Sequence, residues 1–255
     1  MAFISTFIRM IGPGLADPLL AIFSYTSTLT IYLFCLLILY ICVHFLELPN
    51  KVKKKEQDAT TRKDMKEGID EFFRNKTLLT PTITVLFMNF ASSLVIGVLI
   101  FFVIDQLGVT STQVGLMFTI SAIGGLLGAS LISSIRKRFG RGVIYTFSLL
   151  IKVIGMGCLI FAPTWWAIGI ALAIRTFSTT ISNVVYFTIR QKLTPNHILG
   201  RVAGTSSMLM KLTLPFGLFI AGLWAEYLPI RILFVISMLI FLCLFIRLFI
   251  IHFEG

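Results

Sequence analysis

Acidic residues are scarce in this sequence: 11 Asp and Glu stand against 22 Lys and Arg in 255 residues, and charged residues of both signs make up only 13%. Soluble domains carry about 25% charge, so a surface built to face water on all sides is excluded. The four cysteines, Cys35, Cys42, Cys158 and Cys243, fall inside apolar runs without a C-x-x-C pair. Neither a disulfide framework nor a zinc site follows, and buried, inert thiols are expected. No G-x-x-x-x-G-K-[ST] phosphate cradle is present, which argues against an ATP-driven pump. The three histidines, His44, His197 and His252, stand singly near predicted helix ends. With no nucleophile–base pair and no ligand cluster, no catalytic residue, metal or cofactor is expected.

What the chain has in abundance is hydrocarbon. Apolar residues make up 57% and include 24 Phe, and the mean hydropathy is +0.94. These values define an all-α integral membrane protein whose first partner is the lipid bilayer. Measured against the roughly 20 apolar residues that cross a bilayer, eight stretches qualify: about 2–24, 28–47, 78–104, 112–135, 142–162, 165–189, 202–225 and 230–251. The first is too long for a cleaved signal peptide and lacks a basic leader, so the chain is read as multi-pass from its first residues. The net charge of +11 does not point to nucleic acid, because many of the cations crowd into residues 51–76 beside a hydrophobic span. Such crowding is a topology signal.

Cations fall in alternate connections. Residues 48–77, 136–141 and 190–201 are basic, whereas the connections around Thr26, Asp105 to Ser111, "APTWW" and Glu226 to Pro229 are nearly free of Lys and Arg. This alternation places the basic loops and both termini in the cytoplasm, and Trp165, Trp166 and Trp224 toward the outer interface. Within the long basic loop, Met65, Ile69, Phe72 and Phe73 recur at helical spacing among charged residues, which predicts a short amphipathic helix on the inner membrane surface.

Two segments look like copies. "FIRMIGPGLADPLLA" places Arg9 four residues before Pro13, and "MLMKLTLPFGLFIAG" places Lys211 four residues before Pro215, an offset of 202. Both begin helices that run outward. Parallel repeats about the membrane normal are one construction of secondary transporters.

The stretch "VGLMFTISAIGGLLGASLISSIRKRFGRG", followed by "RQKLTPNHILGRVAG" and "LPFGLFIAGLWAEYLPIRILF", resembles the C-terminal part of major facilitator superfamily transporters, in the branch of macrolide-efflux proteins and siderophore exporters. "KEGIDEFFRNKTLL" is similar to that branch as well. The resemblance covers essentially the whole chain and implies a partial major-facilitator bundle of about eight transmembrane helices, equivalent to the family's fifth through twelfth. It implies residues 1–47 as a two-helix remnant of the N-terminal repeat, 48–77 as a cytoplasmic linker, and 78–255 as the C-terminal six-helix repeat. On this reading the chain is a truncated transporter, expected to pair with a separately encoded N-terminal half or to form a homodimer.

Family motifs are matched in part. The basic loop motif Gly-x-x-x-Asp-Arg-x-Gly-Arg finds Arg138, Gly140 and Arg141, but Lys137 replaces the Asp and Ser133 the first Gly. Such a loop latches one conformation through charges at helix ends. The antiporter motif Gly-Pro-x-x-Gly-Gly finds Gly12 and Pro13 only, with Ala16 and Asp17 in place of the two glycines. Gly124 and Gly128 form G-x-x-x-G, which lets helices approach closely in lipid.

Charges at membrane depth single out candidate pathway residues. Lys152 and Arg175 fall near the middle of their helices, Arg9 and Lys211 about two turns inside theirs, and Asp17 well inside the first. Each costs on the order of 2.5–3.5 kcal/mol at the bilayer centre, so they are expected to face a water-filled cavity or one another. Asn89, Asn183, Ser178 and Thr179 are expected to line the same cavity or to bond between helices. The expectation is a secondary transporter, an antiporter that uses a proton or ion gradient to expel a small molecule or drug, with no nucleic-acid partner. The alternative is a channel-like or non-transporting subunit.

Overall fold

The computed structural model describes residues 25–45, 69–70, 72–196 and 198–253. Within them the chain is helical: α1 (Tyr25–His44), α2 (Lys76–Phe101), α3 (Ser111–Arg138), α4 (Arg141–Phe161), α5 (Trp165–Leu193), α6 (Leu199–Lys211), α7 (Thr213–Tyr227) and α8 (Ile230–Phe253). Seven spans among the described residues are long and apolar enough to cross a membrane, with α6 and α7 counted as one. The eighth expected span, 2–24, lies outside the described residues.

Local chemistry sets the boundaries. Asn75 caps α2 by accepting the Leu78 N–H at 3.3 Å. α2 continues through a π-helical turn, Phe102–Gln106, and the chain then reverses at Gly108, whose φ of +63° a side chain would oppose. A capping box opens α3: the Gln113 N–H donates to the Thr110 hydroxyl at 3.4 Å, and the Thr110 N–H donates to the Gln113 side chain at 3.0 Å. α4, α5 and α7 each end two residues before a proline, Pro163, Pro195 and Pro229, because the residue before proline is driven out of helical geometry.

The helices pack in the spatial order α3, α5, α4, α8, α2, α7, with α6 on α2 and a lighter contact between α2 and α5. Exchanging the triplet α2, α3, α4 with the triplet α5, α6–α7, α8 reverses this order and leaves it unchanged. The six-helix bundle is thus two three-helix units in matching roles, an arrangement used by transporters with repeats nested inside each half.

Glycines make the closest crossings. A Cβ on Gly124 would overlap the backbone of Ala173 on α5, and one on Gly128 would come within 2.8 Å of the Phe177 carbonyl oxygen. On the far side of the bundle, a Cβ on Gly217 of α7 would overlap the Ser93 hydroxyl of α2. Hydroxyls then tie the helices together: Ser121 to Thr176 at 2.9 Å, Thr82 to Tyr186 at 2.8 Å, and Ser237 donating to the Ala91 carbonyl at 2.6 Å. With no hydrophobic force between helices in lipid, such contacts and close packing hold the bundle.

Two expectations are corrected. All four cysteines are exposed on helix surfaces rather than buried in protein; a thiol is apolar enough to face lipid, and composition alone does not separate a lipid face from a core. The amphipathic loop segment is not wholly given to the membrane surface. Its Phe72 is fully buried among Leu78, Ile198 and Val202, whereas Ile69 and Phe73 remain exposed, so the start of the bundle captures one of its aromatics. Met65 lies outside the described residues.

Candidate functional site

α4 and α5 meet along a polar seam that holds the two buried cations of the described bundle. Lys152 of α4 is 3% exposed and Arg175 of α5 is 7% exposed. Arg175 stands ten residues into α5 and Lys152 eleven into α4, each about 15 Å from the start of its helix, which is close to the centre of a roughly 30 Å hydrocarbon layer. Gly155 makes the room: a Cβ there would lie 2.8 Å from the Arg175 Cγ. The Lys152 ammonium sits 5.5 Å from the centre of the Phe241 ring of α8, a cation–π contact that offsets part of its desolvation. The buried Arg175 Nε has no hydrogen-bond partner.

Around the two cations, hydroxyls are occupied with backbone. Ser178 donates to the Ser148 carbonyl across the seam. The Thr179 hydroxyl donates to the Arg175 carbonyl at 2.8 Å, within its own helix. Thr179 therefore serves α5 itself, and Ser178 joins α5 to α4.

A carboxylate is what the seam lacks. The described acidic residues with placed side chains are Asp70, Asp105 and Glu226, all exposed, and neither Lys152 nor Arg175 is paired with any of them. Among the described residues, the buried charges are Lys152 and Arg175, both positive.

Lys211 occupies a different place. It is exposed, about halfway along the span Leu199–Tyr227, and does not meet Lys152 or Arg175. There the helix breaks: α6 ends at Lys211 and α7 begins at Thr213. Pro215 is the cause, since it has no N–H to give the Lys211 carbonyl and its ring crowds that carbonyl. Neighbouring α2 reinforces the break. The Asn89 amide donates to the Met210 carbonyl at 2.7 Å, and the Thr213 hydroxyl donates to the Leu86 carbonyl at 2.9 Å.

Asn183 is half-buried on α5. Arg138, Gly140 and Arg141 form the tight α3–α4 connection, with Gly140 just before α4. Arg9, Gly12, Pro13 and Asp17 lie outside the described residues, as does the earlier member of the sequence repeat.

Three features escaped the sequence reading. The Tyr145 hydroxyl donates to the Pro81 carbonyl at 3.3 Å, and fully buried Tyr186 reaches Thr82; tyrosines in apolar helices are the only signal for either. Arg190, read from sequence as a loop cation, is half-buried. It donates to Ser206 at 3.1 Å and Ser207 at 3.4 Å and lies 4.9 Å from the Phe187 ring centre, tying α5 to α6.

A bundle of nested three-helix units with a proline-broken helix and membrane-depth cations defines a multi-pass protein of the transporter class. The family model of the Major Facilitator Superfamily matches residues 1–204 and again 82–254, and the chain belongs to that superfamily. Over 95 residues it is 27% identical to the enterobactin exporter EntS of Salmonella typhimurium, and equally to those of Salmonella paratyphi A and Salmonella choleraesuis. Those alignments span 37% of this chain and 23% of each relative.

Proposed function

We propose that this chain forms the C-terminal half, with part of the N-terminal half, of a secondary transporter that exports a small anionic molecule on a proton or other ion gradient. One observation carries the reading. Three cations, Lys152, Arg175 and Lys211, stand at membrane depth with no described carboxylate to neutralise them. Charges so placed are costly and mark solute pathways, and an interior of one sign favours a solute of the other. The likeness to enterobactin exporters supports export as the direction.

In this reading residues 1–47 belong to the N-terminal repeat, 48–77 link the halves in the cytoplasm, and 78–255 form the C-terminal repeat. The protein resides in the plasma or inner membrane with both termini inside. Lys211, beside the break between α6 and α7, meets the solute, and the broken helix bends as access alternates. Arg175 and Lys152 set the positive potential behind it. Arg9 and Asp17 would complete the pathway from the other repeat.

A second reading is a channel-like or non-transporting subunit that pairs with another half. It draws on the apolar side chains left exposed along α1 and on Met208, Phe216 and Phe219 of α6 and α7. The deciding experiment compares cells making this chain with and without a related N-terminal six-helix half. Efflux of an anionic fluorescent compound is followed with the proton gradient intact and collapsed. Gradient-dependent efflux that Lys211→Ala abolishes supports the transporter, whereas a gradient-independent leak supports the channel.

A further inference from the structure

The basic connection between α3 and α4 stands at the mouth of an apolar groove that the transport reading does not use. The groove, about 400 Å³, runs between α3, α4 and α5 and is lined by Ile135, Phe139, Val143, Phe147, Ile151 and Ile181, among others. It starts at the connection and ends beside Ile151, ten residues into α4, a descent of about 15 Å. That is the depth of one bilayer leaflet, half of a roughly 30 Å core. Phe139 and Phe147 are exposed on its wall.

Four cations surround its upper end. Arg136, Lys137 and Arg138 close α3, and Arg141 opens α4. The first three are exposed and Arg141 is half-exposed. None has a described carboxylate beside it, and Lys137 adds charge where the family motif has an aspartate. An apolar channel one leaflet deep, headed by uncompensated cations, is complementary to a molecule with an anionic head and a long alkyl tail.

We propose that this groove is a binding site for an anionic phospholipid, with one acyl chain along Phe139, Val143, Phe147 and Ile151 and the phosphate held by Arg138 and Arg141. Clustered cations at the cytoplasmic end of membrane helices attract anionic headgroups, and here the groove adds a seat for the tail. The basic linker of residues 48–77 is a poor occupant, since its own lysines would be repelled by the same four cations. A zwitterionic lipid would fill the groove but leave the cations unneutralised.

The test uses the full chain reconstituted in phosphatidylcholine vesicles. Trace phosphatidylglycerol with a photoactivatable acyl chain is added, and crosslinked peptides are mapped by mass spectrometry. Crosslinks are expected on the Phe139–Ile151 segment, competed by unlabelled phosphatidylglycerol but not by phosphatidylcholine. In R138A/R141A they should fall about thirtyfold, as two interfacial cations imply. Ile151→Trp, which fills the groove and leaves the cations in place, should remove the crosslinks while circular dichroism and thermal melting stay near those of the parent. Equal labelling by a phosphatidylcholine probe, undiminished labelling in both variants, or crosslinks confined to other helices would overturn the proposal. So would occupancy of the groove by residues 48–68 or by a second copy, revealed by protein–protein crosslinks to Phe139 or Phe147.

Discussion

The Asn89 side chain of α2 donates to the backbone carbonyl of Met210 at 2.7 Å, two residues before the chain passes from α6 to α7. Pro215 withholds an N–H from the adjacent Lys211 carbonyl, and Asn89 braces the same break from another helix at the preceding carbonyl. Asn89→Ala therefore removes a partner from a carbonyl at membrane depth and is expected to lower stability by about 1–3 kcal/mol. Pro215→Ala should act in the opposite sense locally. Hydrogen exchange at Leu212 and Thr213 is the measurement: slower exchange in Pro215→Ala and faster exchange in Asn89→Ala are expected, and identical rates in all three proteins would contradict the account.

Lys152 and Arg175 are like charges sharing one buried seam, so their effects should not add. Arg175→Leu or Lys152→Met each removes a charge that costs on the order of 2.5–3.5 kcal/mol to place at the bilayer centre. Each should improve folded yield in detergent. The double variant should gain less than the sum, because the first substitution already relieves the mutual repulsion. Transport should fall at least about tenfold in Arg175→Leu, a loss of ~1.4 kcal/mol or more in transition-state stabilisation. Unchanged transport would make the seam structural.

Space differs sharply between Gly124, at the α3–α5 crossing, and Gly157, on the α4 face toward α8. Gly124→Ala forces a methyl into the Ala173 backbone and is expected to cost about 1–3 kcal/mol. Gly157→Ala meets only the Met238 sulfur at 4.0 Å and should change stability by less than ~0.5 kcal/mol. Thermal melts of the two variants side by side decide the matter.

Exposure of Cys35, Cys42, Cys158 and Cys243 on helix surfaces predicts that replacing all four by Ala is tolerated, at a total cost below ~2 kcal/mol. In that background Lys54→Cys should react with a membrane-impermeant maleimide only after the cells are opened. Reaction in intact cells would reverse the proposed orientation.

Membrane residence and helical class were legible because period and length suffice for them. A bilayer demands about 20 apolar residues per span, and the chain repeats that length between basic and neutral connections. Charge at depth was legible too, since Lys152, Arg175 and Lys211 interrupt hydrocarbon that could run unbroken. Their grouping was not. Lys152 and Arg175 share the α4–α5 seam because Gly155 makes room for Arg175 and because α4 packs on both α5 and α8, while Lys211, similar in sequence context, ends on an exposed surface. The same holds for the cysteines and for Phe72. In water, apolarity predicts burial, but in lipid the outside of a helix is as apolar as its core. The sequence by itself therefore determined where seven of its eight expected spans fall among the described residues. Only the tertiary structure decided which side of each helix faces protein, because that choice rests on shape, on glycine clearances and on single hydrogen bonds between residues distant in the chain.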